Sequence, residues 1–389
     1  MASPGIKIVA DRYIPGIEST LGAHADVVLL EPEAIHNSNL RDCDALLVRT
    51  ATRVDAALLH DTPVRFVGTA TSGQDHVDTA YLAELGIGFA SAAGCNARPV
   101  AEYVLSALAV LTEQQGISLN AISVGIIGCG FVGSQLDSLL QALGIRTLLH
   151  DPPLAAQGDK RPFVDLDTVL QADVVTLHVP YTETGAQPTA NLIDAACLQQ
   201  LGRGAVLINT ARGGVIDEAA LWPAIRERGL RVVLDVWTNE PMINTALLEA
   251  VVIGTPHIAG YSRAAKARAS IQMCRALADH FKLTLAAPSI GARNKRRLTL
   301  AAAASFIEQA RLAILAAYDV RTDAAALARL FRLPPEEQPG YFNALRQDYR
   351  LRDEFSSLTL TGTGTQTRHW FHSLGFDRDA STQIEDGSG

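Results

Sequence analysis

The sequence predicts an α/β protein with two doubly wound parallel-sheet domains of Rossmann-like type and a smaller C-terminal α+β domain. Three observations carry that expectation. Short, unbroken apolar runs alternate with longer helical patterns for most of the length. The runs fall into two series. A glycine-rich turn follows the first run of the second series. Strands covered on both faces read as continuous apolar runs, and parallel neighbours need a crossover, usually a helix, between them.

The first series covers residues 6–10, 27–30, 45–48, 66–70 and 88–90. The second covers 123–127, 147–150, 174–178, 205–209, 231–236 and 251–254. A helical stretch at 100–115 (VAEYVLSALAVLTEQQ) separates the series, and another at 264–281 follows the second. Both are expected to bridge the units, so that chain returning after residue 262 completes the first one. The expected domains are a substrate domain (1–97 with 262–285) and a dinucleotide-binding domain (98–261). A C-terminal domain (286–380) and a flexible tail (381–389) follow. The C-terminal part opens with GARNKRRLTL, continues as a helix through residue 318 and contains a charged stretch at 346–354.

Bulk composition agrees with a folded protein of two or three domains: 389 residues, 48% hydrophobic and 19% charged. A net charge of -8 argues against a general nucleic-acid or anionic-membrane partner. No basic segment ahead of an apolar stretch suggests a signal peptide. The alanine-rich stretch 298–318 is broken by Glu308, Gln309 and Arg311, so it reads as an amphipathic or buried helix rather than a membrane span. Five scattered cysteines, without CxxC spacing, read as thiols of a cytoplasmic protein.

Residues 123–133 (SVGIIGCGFVG) place GxGxxG directly after an apolar run and before a helical pattern. Gly128 suits the tight turn, Gly130 the backbone's approach to a pyrophosphate, and Gly133 close helix–strand packing. With Phe131 and Val132 they open a helix whose N-terminus attracts phosphate. Asp151 ends the next run, near the expected separation of about 20 residues. A carboxylate there accepts both ribose hydroxyls and repels a 2′-phosphate, which favours NAD. A glycine turn that binds nothing is the weaker reading in this setting.

Ligands of an open parallel sheet gather beyond the carboxyl ends of its strands. Arg212, Glu240 and His257 each follow a run of the second series, and so do Thr210 and Ala211. Histidine, with a reference pKa of about 6.5, is suited to exchange a hydroxyl proton during hydride transfer. A glutamate beside it favours the protonated ring and fixes its orientation. Arginine offers a fork for a carboxylate. Taken singly, each has a plain structural alternative: a surface ion pair, an exposed turn, a satisfied histidine. His178 ends a run too and is left as a structural or cofactor-lining residue. Thr50 and Thr71 end runs of the first series, where they either bind anion oxygens or cap helices. Arg49, Lys266 and Arg268 are candidates to bring charge to a phosphate or are simply solvated.

The GCGFVG loop, INTARGGVID (208–217), LDVWTNEP (234–241) and TPHIAGY (255–261) resemble the D-isomer-specific 2-hydroxyacid dehydrogenases. The likeness spans roughly residues 5–285. It implies that the family's Arg–Glu–His set falls on Arg212, Glu240 and His257. VADRYIPG, FVGTATSGQDHVD, AAGCNARPVAEYV, HDPP and the C-terminal YDVRTD and RQDYRLRDEFSSL resemble one branch of that family. That branch oxidises a phosphorylated four-carbon hydroxy acid in pyridoxal phosphate biosynthesis and carries a C-terminal dimerisation domain. The likeness implies a homodimer, substrate contacts from Thr50, Thr71 and Tyr261, and cofactor contacts from Asp151, Thr210, Ala211, Asp235 and Gly260. Two other readings stay open here: a dehydrogenase of the glycerate or phosphoglycerate type, and a non-catalytic dinucleotide-sensing protein. No metal is expected.

Overall fold

A computed structural model describes residues 5–285, 296–300, 305–361 and 371–378. The expected tail at 381–389 and the opening of the C-terminal domain at 286–295 lie outside the described residues. The chain forms two compact units. One takes Met1–Asn96 with Ser262–Arg293, the other Ala97–Tyr261 with Asn294–Gly389.

The first unit holds a five-stranded sheet. Its strands are β1 (Ile6–Asp11), β2 (Ala25–Leu30), β3 (Ala45–Val48), β4 (Phe66–Thr69) and β5 (Gly88–Ser91). They pair in parallel in the order β2-β1-β3-β4-β5. β3 and β4 are buried throughout, as unbroken ALLV and FVGT runs require. Helix Arg263–Phe281 packs on this sheet, where a β-carbon on Gly68 would meet Met273 Sδ at 3.0 Å. The chain's return after residue 262 therefore completes this unit.

The second unit holds β6 (Ser123–Ile127), β7 (Arg146–His150), β8 (Val174–Leu177), β9 (Val206–Asn209), β10 (Arg231–Leu234) and β11 (Ile253–Gly254). All are parallel, in the order β11-β10-β9-β8-β6-β7. Side chains alternate between two cores. Val124, Ile126 and Ile208 join one; Ile127, Leu177 and Leu207 join the other. Helix Ala97–Gln115 enters the first core and is buried on nearly every side from Ala97 to Thr112, which its Ala/Leu/Val composition permits. It ends where Gly116 adopts φ 65°.

The C-terminal region adds three parallel strands, β12 (Arg296–Thr299), β13 (Leu358–Thr361) and β14 (Asp377–Arg378), and shares the second unit's core. Phe355 and Phe376 stack with ring centroids 4.6 Å apart in that core. The helix expected over 298–318 spans Phe306–Ala317, and residues 296–299 form a strand instead. Polar Arg296 and Arg297 face outward, and β12 exists because it pairs with β13, some 60 residues away in sequence. Within the charged stretch 346–354, Arg352 and Glu354 are buried. Among the described residues no helix is long and apolar enough to cross a membrane.

Candidate active site

The strand order of the second sheet reverses at β6, which has β7 on one side and β8 on the other. The carboxyl ends of β6 and β8 therefore diverge into a crevice. The glycine loop fills that point. Gly128 has φ 89°, and a β-carbon there would lie 2.7 Å from the His178 carbonyl. Gly133 would place a β-carbon 2.1 Å from Gly128 O, so helix Phe131–Ala142 touches the loop backbone. At Gly130 the space is open.

That helix starts differently from two other long helices. Its N-cap, Gly130, offers no side-chain hydrogen bond, whereas Asp217 and Ser262 cap helices Glu218–Arg228 and Arg263–Phe281. Its first N–H groups thus remain available to an anion. Val132 packs on the core, while Phe131 is 67% exposed beside the open glycine. A cavity of about 580 Å³ opens here between Cys129, Gly130, Ser134, Leu154 and Arg161. Uncapped N–H groups, an open glycine and a carboxylate at the next strand end fit a dinucleotide.

Asp151 is that carboxylate. Its Oδ2 accepts from Cys129 N at 2.7 Å and its Oδ1 from Leu154 N at 3.0 Å, which ties the glycine loop to β7. Each oxygen keeps a lone pair for a ribose hydroxyl. Arg161 was not anticipated. It stands ten residues beyond Asp151 in a stretch without periodicity, yet its Nη1 donates to Cys129 O (3.0 Å) and Ser134 Oγ (2.8 Å). Asp159 holds it at 2.7 Å. Burial pushes the Cys129 thiol up to about 12.

Beyond β8, His178 bonds Thr176 Oγ1 (3.0 Å) and Thr210 Oγ1 (3.3 Å), and burial pushes its pKa down to about 3. It stays neutral at the loop's flank. Beyond β9, buried Asn209 staples the turn. Its Oδ1 accepts from Ala211 N and its Nδ2 donates to Arg212 O. Asn209 ended an expected strand and carried no further signal. Arg212 donates to Ala211 O at 2.8 Å. Next to it, a β-carbon on Gly213 would come within 2.1 Å of Trp237 C, so the turns after β9 and β10 are in backbone contact.

The turn after β10 presents Glu240. Its Oε1 accepts from Trp237 N at 2.9 Å, while Glu218 holds Thr238 N at 2.6 Å. Beyond β11, His257 Nδ1 meets Glu240 Oε2 at 2.7 Å. The glutamate is 16% exposed and the histidine 32%, so the ring keeps a face to solvent. Burial works to raise the Glu240 pKa, but the His257 hydrogen bond and charge, Trp237 N–H and Arg346 outweigh it, and the pKa lies below the ordinary value. An ionised glutamate on Nδ1 leaves Nε2 to exchange a proton with a ligand.

His257 itself has φ 58°, a left-handed backbone uncommon outside glycine. Asp235 explains how it persists. This carboxylate, 1% exposed, accepts from Thr255 Oγ1, Ile258 N and Ala259 N at 2.7–2.9 Å. Its visible work is to hold the loop. Gly260 and Tyr261 follow directly, both half-buried. The structure thus gathers His257 and Glu240 into one pair and sets Arg212 on the turn that touches the glutamate's turn.

In the first unit the reversal lies at β1. Thr50 is exposed in the turn after β3. Thr71, after β4, donates to Gly73 O and shares a 2.8 Å hydrogen bond with Thr69 Oγ1. Neither caps a helix; Asp55 and Asp78 do that. Arg49 forms a two-bond ion pair with fully buried Asp11, at 2.9 and 3.2 Å. Burial lowers the Lys266 pKa; Arg49 acts in the same direction and Asp11 opposes.

A family model described as the NAD-binding domain of D-isomer-specific 2-hydroxyacid dehydrogenases matches residues 105–259. A domain of unknown function matches 292–375. Erythronate-4-phosphate dehydrogenase of Salmonella arizonae is 43% identical over 382 residues, covering 96% of this chain and 98% of the relative. Its counterpart in Salmonella schwarzengrund is 45% identical over 363 residues, covering 91% and 93%. Among solved structures, D-lactate dehydrogenase of Aquifex aeolicus, complexed with NAD and lactic acid, matches with TM-score 0.60 at 23% identity, over 71% of this chain and 95% of that one. NAD-bound 3-phosphoglycerate dehydrogenase of Entamoeba histolytica matches with TM-score 0.61 at 22% identity, over 72% and 96%. These two support the fold.

Proposed function

We infer that this chain, which belongs to the erythronate-4-phosphate dehydrogenase family, oxidises 4-phospho-D-erythronate to 2-oxo-3-hydroxy-4-phosphobutanoate with NAD, a step toward pyridoxal 5′-phosphate. The observation that carries the chemistry is the 2.7 Å contact between His257 Nδ1 and Glu240 Oε2.

Oxidation removes two hydrogens from C2 of the substrate: the hydroxyl proton, and the C–H hydrogen with its electron pair. His257 Nε2 takes the proton, and the Glu240 carboxylate stabilises the resulting imidazolium and fixes the ring. Arg212 holds the C1 carboxylate or the developing carbonyl, with its turn braced by Asn209. Bound NAD supplies the hydride acceptor. Gly128, Gly130, Phe131, Val132 and Gly133 would hold its pyrophosphate and Asp151 its ribose. Thr210, Ala211, Asp235 and Gly260 line or support the nicotinamide side. Thr50, Thr71 and Tyr261 are assigned to substrate.

The test is NAD reduction, followed by absorbance with an oxo-acid trap, on 4-phospho-D-erythronate, D-glycerate and 3-phosphoglycerate. Preferred turnover of the first is expected. Turnover confined to the other two would overturn the substrate, and NAD binding without any substrate-dependent absorbance change would mark a dinucleotide sensor. We also read the protein as a cytoplasmic homodimer joined through its C-terminal region. Sedimentation at a monomer mass across micromolar concentrations would overturn the dimer.

A further inference from the structure

Helix Gln338–Gln347 and the turn after it reach the catalytic pair and its loop at three points. Arg346 Nη1 stands 3.9 Å from Glu240 Oε2, the same oxygen that binds His257. The Tyr349 ring meets Tyr261 edge-on, with centroids 5.8 Å apart. Arg352 Nη2 donates to the carbonyls of Ala259 (2.6 Å) and Pro99 (2.7 Å), and its Nη1 to that of Ile258 (3.3 Å).

The third contact matters for His257. Ile258 and Ala259 are the two residues directly after it. Their N–H groups are held by the Asp235 carboxylate and their carbonyls by the Arg352 guanidinium. A buried anion and a buried cation grip the same two residues from opposite ends. Burying a guanidinium costs several kcal/mol unless its donors are satisfied. Here it also lies 4.0 Å from the Tyr318 ring centroid, and Asp323 binds the hydroxyls of Tyr318 and Tyr349 beside it. A surface used only to join subunits has no need of such an arrangement beneath a catalytic loop.

Arg346 works differently. At 3.9 Å it makes no hydrogen bond to Glu240, and its Nε is buried without a hydrogen-bond partner. Its influence on the glutamate is therefore one of charge. Charged groups near the pair include Arg346 from this helix and Glu218 from helix Glu218–Arg228, whose carboxylate is engaged by Thr238 N.

We propose that Arg346 and Arg352 are positioning residues of the dehydrogenase site, so that the C-terminal region helps assemble the catalytic pair as well as extending the chain. Arg352, with Asp235, clamps the backbone that follows His257. Arg346, a cation 3.9 Å from the oxygen that binds His257, supports the carboxylate form of Glu240 and opposes a second positive charge beside it. The proposal rests on the dehydrogenase reading.

The experiment compares wild type, Arg346→Gln and Arg346→Lys as full-length proteins. It records kcat/KM against pH for 4-phospho-D-erythronate oxidation, NAD affinity by calorimetry, and the His257 ring titration by NMR without cofactor. With the cation gone the pair holds its proton to higher pH. The acid limb and the ring titration of Arg346→Gln should therefore move up by roughly half a pH unit. Arg346→Lys should restore most of the shift, and NAD affinity should stay within about twofold. For Arg352→Lys, which keeps the charge and loses the fork, kcat should fall about tenfold with KM little changed. An unmoved acid limb and ring titration in Arg346→Gln, alongside normal wild-type turnover, overturns this proposal alone. Absence of wild-type turnover overturns the dehydrogenase reading and the proposal together.

Discussion

The two parallel sheets share a topology but furnish their reversal points in opposite ways. At β1 the edge is built from charge. Arg49 grips buried Asp11, Tyr13 lies under the guanidinium with its centroid 5.0 Å away, and Lys266 senses both ions. At β6 the edge is built by leaving side chains out, with three glycines and a helix without a side-chain cap. The difference teaches what each edge can recognise. A backbone cradle suits a large ligand met along its length through N–H groups. Two cations beside one carboxylate suit a small anion.

The largest effect should come from the second sheet. His257→Ala should lower kcat by roughly 10²–10⁴-fold and leave NAD affinity unchanged, read by steady-state kinetics and calorimetry. Undiminished turnover would remove the base from the mechanism. Gly133→Val should abolish NAD binding and cost about 1–3 kcal/mol in urea unfolding, because its β-carbon has only 2.1 Å to Gly128 O. Normal NAD affinity in that variant would erase the contrast between the edges. At the charged edge, Arg49→Met should raise KM for the phosphorylated substrate without touching NAD affinity. It should also cost about 2 kcal/mol, less than a fully buried pair, since the arginine is 26% exposed. An equal loss for NAD would show that the two edges do not divide their ligands.

A further effect lies on neither edge. Glu102 is fully buried and, despite Arg98 at 2.6 Å, burial raises its pKa from 4.5 to about 7. The folded state therefore holds a proton that the unfolded state has released. The stability contribution is complete below pH 4.5 and declines as pH rises through about 7. Glu102→Gln should flatten that slope in urea midpoints taken at pH 5 and pH 8. A slope unchanged by the substitution would assign it to another group.

Much of this was legible in the sequence because each piece is local. Every run expected in the two series became a strand of one of the two large sheets, with ends shifted by a residue or two. GxGxxG, Arg212, Glu240 and His257 do follow strands of the second sheet, as expected, because strand-end position is encoded in pattern. What stayed hidden depends on distant partners. Arg161 reaches back to Cys129, β12 exists only through β13, and Arg352 reads as one charge in a charged stretch until Pro99, Ile258 and Ala259 surround it. Charge patterning alone cannot separate a solvated arginine from a buried one, since both begin as the same letter among acids.

Cys129 sits inside the glycine loop with its thiol raised to about 12. Burial therefore keeps this side chain protonated at neutral pH, and the thiolate is the form that peroxides and alkylating agents attack. The glycine loop is thus chemically quiet, even with sulfur at its centre. Thiol reagents will report unfolding of this unit rather than the state of its cofactor.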